Sequence, residues 1–263
     1  ETVEATPEVV ETLDSPAVTT ASTVDTGVGV TSDPCPEVIG GIPTGADPSK
    51  GCIYLGLLND YTGPFGPYGI PLETGQRGFW LWANQTGGVG DYSVAIVEGY
   101  DTQYNPQKHL EGYKAQRGEV AALAMSLGTP QTQFILDDMD ADNMIAAPMS
   151  WYSGWSYKGS DRGLVVEFGS SYCADGMNAL DWAMANLPVD IKTVGVMGYA
   201  GDYGGDYAAG VKAAAEANGI TVAWEYIVPS SEFDVAQAVG LMVTKPVDAY
   251  FPAIGPTFMA QVA

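Results

Sequence analysis

Thr129 and Pro130 form a pair whose order can create an anion-binding site. They follow a predicted apolar strand, 120–124, and precede a predicted helix, 131–141. Threonine is a favoured N-cap residue, and proline is favoured at the first helical position. The first backbone N–H groups of a helix have no acceptor within the helix, so they attract negative charge. Thr129 is therefore predicted to cap the helix, to contact an anionic ligand group, or to do both.

An aromatic loop follows the next predicted strand, 143–147. Residues 148–157 read Pro-Met-Ser-Trp-Tyr-Ser-Gly-Trp-Ser-Tyr, in which four aromatic residues are interleaved with serine and glycine. Such rings with polar edges are typical of a recognition surface. The alternative is that they pack the interface between two lobes of the fold.

A glycine- and proline-rich loop, 62–69, carries two further aromatic residues, Phe65 and Tyr68. The loop follows a predicted apolar strand, 53–58, and precedes a predicted helix, 71–86. Ligands of open α/β sheets bind at loops on the carboxyl ends of strands. The two rings are therefore predicted either to contact a ligand or to pack the loop.

Residues for enzymatic chemistry are scarce. His109 is the single histidine and lies in a predicted polar helix, where we expect it to be solvated. The chain has no G-x-S-x-G nucleophile motif and no Walker loop for phosphate. Asp138-x-Asp140-x-Asp142 begins like a calcium loop, but Met149 stands where a bidentate glutamate is needed. We predict no enzymatic activity, no metal site and no cofactor.

The charge of the chain excludes two classes of partner. Thirty-two acidic residues against ten basic ones give a net charge of −22. Nucleic acid requires a basic surface, and an anionic membrane surface repels a protein of this charge. The 263 residues, 46% of them hydrophobic, are enough for one or two domains with real cores. They include no run of 18 apolar residues of the kind that spans a membrane.

Three cysteines are present. Cys35 and Cys52 flank a segment rich in glycine and proline, and they are predicted to form a disulfide in an oxidising compartment. The alternative is two free thiols. Cys173 is then left over, either as a buried free thiol or as the partner of a cysteine elsewhere.

Residues 1–34 have the composition of a disordered tether. They contain seven acidic residues, no lysine or arginine, and no aromatic residue. A segment of this kind cannot bury enough apolar surface to offset the entropy lost on ordering.

Strand and helix signals alternate along the rest of the chain. The first series has predicted strands at 53–58, 92–98, 120–124, 143–147 and 164–168, with helices at 71–86, 106–118, 131–141 and 174–187. The second has strands at 192–198, 221–228 and 247–254, with helices at 205–218 and 232–242. The alternation is typical of parallel sheets with helices on both faces, and two series predict two α/β lobes.

Four segments, in this order, resemble the periplasmic leucine/isoleucine/valine-binding family, the extracytoplasmic receptors of ABC importers. They are Thr62-Gly63-Pro64, Asn84-x-x-Gly87-Gly88-Val89, Asp101-x-Gln103-x-Asn105-Pro106 and Gly201-Asp202-Tyr203-Gly204-Gly205-Asp206. The resemblance runs from about Cys52 to the last residue. It implies a two-lobed type I periplasmic-binding-protein fold, with lobe 1 over 35–171 and a partial lobe 2 over 172–263. Because the family continues further, we expect the chain to be truncated at its C-terminus.

The resemblance also implies a ligand site in the cleft between the lobes. Thr129 matches the hydroxyl that holds a ligand carboxylate together with nearby backbone N–H groups. Tyr68 matches an aromatic residue at the cleft mouth, and Tyr203 matches a tyrosine that closes over the ligand. The family also contacts its ligand in the segment that holds Met149, Ser150 and Trp151. The family usually has small residues there, so Trp151 favours a larger, flatter or aromatic ligand.

These features together predict an extracytoplasmic solute-binding protein of an ABC importer, in the periplasm or on the outer face of the cell membrane. The expected ligand is small and polar, of the amino acid, amide or aromatic acid type. The alternative is a ligand-sensing receptor domain of the same fold. The predicted partners are the small-molecule ligand and an ABC transporter permease. No nucleic acid is expected, and a membrane is expected only through an N-terminal lipid anchor.

Overall fold

Two mainly parallel β-sheets organise the protein, whose computed structural model describes residues 27–157 and 159–262. The strands are β1 (Val30–Thr31), β2 (Val38–Ile39), β3 (Ile42–Pro43), β4 (Gly51–Asn59), β5 (Tyr92–Ile96), β6 (Tyr100–Asp101), β7 (Ala122–Leu127), β8 (Ala146–Met149), β9 (Thr193–Tyr199), β10 (Thr221–Val228) and β11 (Ala249–Ala253). The helices are α1 (Gly66–Gln85), α2 (Pro106–Gln116), α3 (Thr129–Phe134), α4 (Leu136–Asp142), α5 (Tyr172–Asn186), α6 (Gly204–Ala217), α7 (Val235–Thr244) and α8 (Pro256–Val262). In these described residues, no helix combines the length and the apolar character that crossing a membrane requires.

The first sheet is built around β4. Strands β5 and β6 pair in parallel with one edge of β4, while β7 pairs with the other edge and β8 lies beyond it. Side chains alternate along a strand, so Leu57 and Leu58, both fully buried, point to opposite faces. Leu57 packs in a cluster with Trp80 of α1, and Leu58 packs in another with Tyr113 of α2. Helices therefore cover both faces, and we call this sheet with its helices lobe 1.

The second sheet has the parallel order β10–β9–β11. Val196 and Met197 of β9 are both fully buried on opposite faces. Val196 packs in a cluster with Leu180 of α5 and Val211 of α6, whereas the cluster around Met197 includes Ala238 of α7. We call this sheet with its helices lobe 2. The two sheets confirm the predicted fold class, and the boundaries 35–171 and 172–263 stay a prediction.

Two glycines bring α5 and α6 into backbone contact. A Cβ atom on Gly210 of α6 would lie 1.9 Å from the carbonyl oxygen of Cys173. A Cβ atom on Gly176 of α5 would lie 2.2 Å from the carbonyl oxygen of Tyr207. Only a residue without a Cβ atom fits at either position, so these glycines set the distance between the two helices.

One predicted strand of lobe 1 is wrong, and one predicted helix is divided. Residues 164–168 form no strand, because only Val165 bridges to Ala146. After this bridge the chain leaves the edge of the sheet, and Phe168 packs against Trp151. The predicted helix 131–141 forms as two helices, α3 and α4, which meet at Ile135 with a φ of −103° and a ψ of 0°.

The predicted strand 143–147 is shifted towards the C-terminus, to β8. Asn143 adopts the left-handed conformation, with a φ of 51°, and is the C-cap of α4. Asparagine is one of the few residues that tolerate this conformation, which is common where a helix ends. Extended structure can therefore begin only after Asn143.

His109 is fully buried, so the expectation of a solvated histidine is wrong. It lies four residues before Tyr113 on α2, which places both side chains on the helix face that packs against the sheet. Its Nε2 atom lies 2.8 Å from the hydroxyl oxygen of Ser126. Burial lowers the pKa of His109 to about 3, so the imidazole is neutral at ordinary pH.

Residues 27–34 contact lobe 1, although the tether prediction included them. Strand β1 pairs antiparallel with β4, with Val30 opposite Ile53. Gly29 has a φ of +76° and lies against the backbone of Val120. The tether prediction is wrong here because backbone hydrogen bonds to a strand edge order a segment that has little apolar surface. The rest of the predicted tether, 1–26, lies outside the described residues.

Cys35 and Cys52 form the predicted disulfide, with their Cα atoms 4.7 Å apart. Both are buried and pack with Ala95 of β5, so the bridge fixes the segment with β2 and β3 to the first sheet. Cys173 is a free, partly buried cysteine, and burial raises the pKa of its thiol.

Replacing both Cys35 and Cys52 with serine is expected to lower the free energy of unfolding by about 3 kcal/mol. The bridge closes a loop with a sequence separation of 17, and its removal restores that conformational freedom to the unfolded chain. Urea titration followed by tryptophan fluorescence measures the change. The matched control, Cys173→Ser, removes a thiol without opening a loop. Equal urea midpoints for the double variant and the wild type would contradict the prediction.

Candidate functional site

A cavity of about 450 Å³ lies between the two lobes. Its wall is formed largely by residues at the ends of strands β4, β6, β7, β8, β9 and β11 or in the segments that follow them, so it lies at the carboxyl ends of both sheets. This is the position at which open α/β sheets bind ligands. Six aromatic residues from the two lobes line it: Phe65, Tyr68, Tyr104, Trp151, Tyr172 and Tyr203.

The wall is mainly apolar. Aliphatic side chains fill the spaces between the rings, from Pro71, Leu72, Leu127, Met149 and Ile254. Thr129 contributes a hydroxyl, and Asp202 is the only charged residue among the described residues that line the cavity. The volume suits a small organic molecule, and the wall suits one with an apolar body.

Five of the six predicted site residues line the cavity: Tyr68, Thr129, Met149, Trp151 and Tyr203. Tyr68 is 44% exposed, as expected of a residue at the mouth. Burial raises the pKa of Tyr203 to about 12, so its phenol stays protonated and can donate a hydrogen bond. Ser150 does not line the cavity, because it is buried behind Thr129. The contact of these residues with a ligand stays a prediction.

Two carboxylates shape the loop that carries Phe65 and Tyr68. Asp60 accepts a hydrogen bond of 2.7 Å from the backbone N–H of Phe65. Asp101 accepts one of 2.7 Å from the hydroxyl of Thr62. Burial alone would raise the pKa of Asp101, but its hydrogen bonds outweigh burial and lower the pKa. The motif around Asp101 therefore positions the loop from behind.

The motif Asn84-x-x-Gly-Gly-Val is also structural. The side chain of Asn84 donates to the carbonyl oxygen of Val94 and accepts from its N–H, both at 2.8 Å, which joins α1 to β5. Gly88 has a φ of +68°, and a Cβ atom there would lie 2.3 Å from the carbonyl oxygen of Tyr92. Neither Asn84 nor Gly88 lines the cavity.

Thr129 does not cap helix α3, contrary to the capping prediction. Gly128 is the N-cap, with a φ of +102°, and Thr129 is the first helical residue. This turn directs the hydroxyl of Thr129 towards β8, where it is hydrogen-bonded to the hydroxyl of Ser150. The N–H of Thr132 donates to the carbonyl oxygen of Gly128 at 3.0 Å, so this backbone N–H near Thr129 already has an acceptor within the helix.

Two of the four rings of the predicted aromatic recognition surface pack inside lobe 1. Trp155 is 1% exposed and belongs to the core, and Tyr152 contacts it with ring centroids 6.3 Å apart. Trp151 alone of the four rings lines the cavity. Tyr152 and Trp155 therefore pack, but in the core of lobe 1 and not at an interface between the lobes.

Sequence reasoning missed Tyr104, Tyr172 and Asp202 as wall residues. Tyr104 stacks on Phe65 with ring centroids 4.2 Å apart, and burial, followed by the charge of Asp202, raises its pKa. Tyr172 begins α5, where the chain passes from lobe 1 to lobe 2, and its pKa is raised by burial. The position of Tyr104 in the segment that follows β6 was a usable signal.

A carboxylate joins the lobes beside the cavity. Asp206 of α6 accepts hydrogen bonds from the hydroxyl and the N–H of Ser153 at 2.6 and 2.9 Å. It also accepts one from the N–H of Cys173 at 3.3 Å. Asp206 therefore links the loop after β8 to the starts of α5 and α6.

No cluster of three or more histidine, cysteine or acidic side chains that could hold a metal ion occurs in the part of the chain that the structure describes. The arrangement offers a mainly apolar, aromatic chamber with the hydroxyl of Thr129, the phenols of four tyrosines and one carboxylate. Such a site can enclose a ligand and fix its orientation.

Solved structures with the same fold are found among ABC transporter proteins. A fatty acid ABC transporter substrate-binding protein from Thermomonospora curvata is 28% identical, with a TM-score of 0.70, over 84% of this chain and 56% of its own. A solute-binding protein of an ABC transporter from Rhodopseudomonas palustris BisB5, in complex with 3,4-dihydroxybenzoic acid, is 19% identical, with a TM-score of 0.69, over 80% and 57%. A branched chain amino acid ABC transporter protein from Thermus thermophilus with bound valine is 16% identical, with a TM-score of 0.66, over 79% and 54%.

The last two likenesses show the fold alone, and the chain spans about half the length of these solved relatives. No curated protein matches it. The family model described as periplasmic binding protein matches residues 52–263, and this chain therefore belongs to the periplasmic binding proteins, an extracytoplasmic family.

Proposed function

We propose that this chain is the ligand-binding part of a solute-binding protein of an ABC importer, and that it takes a small organic acid with an apolar body. The observation that carries the proposal is the cavity at the carboxyl ends of both sheets, with six aromatic residues in its wall. Similar proteins are described as a fatty acid ABC transporter substrate-binding protein and as a solute-binding protein of an ABC transporter in complex with 3,4-dihydroxybenzoic acid. Of the ligand types predicted from the sequence, the aromatic acid type fits this wall best.

The polar groups of the wall give such an acid an orientation. Thr129 offers a hydroxyl on lobe 1, where the carboxylate is proposed to bind. Asp202 offers an acceptor on lobe 2 for a ligand hydroxyl or amino group. Tyr68, Met149, Trp151 and Tyr203 are proposed to contact the ligand body.

The partner in this proposal is an ABC transporter permease that recognises the ligand-bound form. The alternative, a sensing receptor, uses the same cavity, and the protein that binds the ligand-bound form distinguishes the two. We infer a binding protein and not an enzyme, because the family consists of solute-binding proteins and His109 is buried outside the cavity. The N-terminal lipid anchor stays a prediction.

A thermal-shift screen tests the proposal. The panel contains benzoate, 4-hydroxybenzoate, octanoate, valine and the matched primary amides of the acids. A ligand at 100 times its Kd adds roughly 2.7 kcal/mol of stability, which raises the melting temperature measurably. A shift with the acids supports the proposal. No shift with any acid, amide or amino acid would overturn it.

Thr129→Val is expected to weaken binding of the best acid about tenfold or more, because it deletes one hydrogen bond to a charged group. Isothermal titration calorimetry measures the change in Kd. Thr74→Val is the matched control, since it removes an exposed hydroxyl on α1 that bonds only the carbonyl oxygen of Ile70. An unchanged Kd for Thr129→Val would show that the carboxylate binds elsewhere.

A further inference from the structure

A chain of hydrogen bonds runs from the core of lobe 1 to the cavity wall. The Nε1 atom of Trp155 lies 3.0 Å from the hydroxyl oxygen of Ser150. That oxygen is hydrogen-bonded in turn to the hydroxyl oxygen of Thr129, which lines the cavity. All three residues are 1% exposed, so the protein and not bulk water decides how their protons are arranged.

The chemistry of the three groups gives the chain a direction. An indole N–H can only donate, so Ser150 accepts from Trp155. Ser150 has a single proton, and within the described residues the hydroxyl of Thr129 is its only other hydrogen-bond partner. If Thr129 donated to Ser150, the proton of Ser150 would be buried without an acceptor, which is costly. Ser150 therefore donates to Thr129.

The direction of these hydrogen bonds determines whether Thr129 presents its hydroxyl proton or an oxygen lone pair to the cavity. Its oxygen already accepts from Ser150, and its own proton has no acceptor within the described protein. The hydroxyl of Thr129 is therefore a donor aimed at the cavity, and each bond in the chain polarises the next. A ligand acceptor, such as a carboxylate oxygen, is favoured at this point, and a ligand N–H is disfavoured.

We propose that Trp155 and Ser150 are positioning residues that make the site select an acceptor group, although neither lines the cavity. The proposal rests on the proposed function, because it requires a ligand against Thr129. In this proposal, Trp155 contributes to ligand specificity as well as to the packing of the core.

The test compares two ligands of one shape, benzoate and benzamide, with octanoate and octanamide as a second pair. Trp155→Phe keeps an aromatic ring in the core but removes the N–H whose hydrogen bond polarises the hydroxyl of Ser150 and, through it, that of Thr129. It is expected to lower the ratio of acid affinity to amide affinity about fivefold, the effect of one ordinary hydrogen bond. Loss of packing alone would weaken both ligands equally and leave the ratio unchanged.

Trp224→Phe is the matched control. Its Nε1 atom donates to the carbonyl oxygen of Lys245 at 2.9 Å in lobe 2, so the same group is removed away from the cavity. The acid-to-amide ratio is expected to stay at the wild-type value. Ser150→Ala provides a second variant where Trp155→Phe folds poorly, and it is expected to lower the ratio as well.

The outcomes separate this inference from the proposed function. If the wild type binds neither member of either pair, the proposed function fails and this inference fails with it. If the wild type binds the acids but Trp155→Phe and Ser150→Ala keep the wild-type ratio, only the inference is overturned. A lower ratio in both variants, with the control unchanged, supports it.

Discussion

Gly210→Ala is expected to lower the free energy of unfolding by about 4 kcal/mol, although alanine is the better helix former. The new Cβ atom would lie 1.9 Å from the carbonyl oxygen of Cys173, and a backbone atom cannot rotate aside as a flexible side chain can. Helices α5 and α6 must therefore separate, which opens the cluster that contains Leu180 and Val211. The melting temperature is expected to fall by roughly 8–16 °C.

Gly240→Ala is the matched control for this change. Gly240 is also in the interior of a helix of lobe 2, but a Cβ atom there would meet nothing within 4 Å. The change is expected to stabilise the protein by about 1 kcal/mol through helix propensity. If Gly210→Ala were as stable as Gly240→Ala, the close approach of α5 and α6 would be wrong.

The two sheets could be predicted because buried parallel strands are continuous apolar runs. The predicted strands 53–58 and 192–198 contain the centres of β4 and β9. An apolar run in the sequence does not show whether the segment pairs with a neighbouring strand along its whole length. Residues 164–168 have the apolar composition of a strand but make a single bridge to β8.

Part of the site could also be predicted, because the ends of parallel strands meet at one edge of a sheet. Tyr68, Thr129 and Trp151 follow strands and line the cavity. Tyr104 and Tyr172 were missed because neither has another aromatic residue beside it in the sequence. The backbone of Tyr104, with a φ of 54°, turns this residue towards the cavity wall. Tyr172 reaches the wall because it lies where the chain passes between the lobes.

The partners of buried polar groups were beyond sequence reasoning. Thr129 and Ser150 are 21 positions apart and bond because β7 and β8 are neighbours in the sheet. His109 was expected to be solvated because its sequence neighbours are polar, but the helical period places it on the buried face of α2. The chemistry of each group could be read from the sequence, whereas its environment depended on the packing of distant elements.

Trp151→Ala is expected to weaken binding of the best acid about 100-fold, because buried aromatic residues at the centre of a site contribute about 2–4 kcal/mol. The indole lines the cavity and contacts the rings of Phe168 and Tyr172 at centroid distances of 5.3 and 6.1 Å. Its removal both deletes ligand contact and frees the rings where the chain passes between the lobes. Calorimetry gives the change in Kd, and stopped-flow fluorescence shows whether dissociation is faster, as loss of an enclosing wall requires.

Trp182→Ala removes an indole that is 61% exposed on α5 outside the cavity, and it is expected to leave Kd unchanged. A Kd for Trp151→Ala as tight as that of Trp182→Ala would mean that the ligand does not occupy the aromatic cavity.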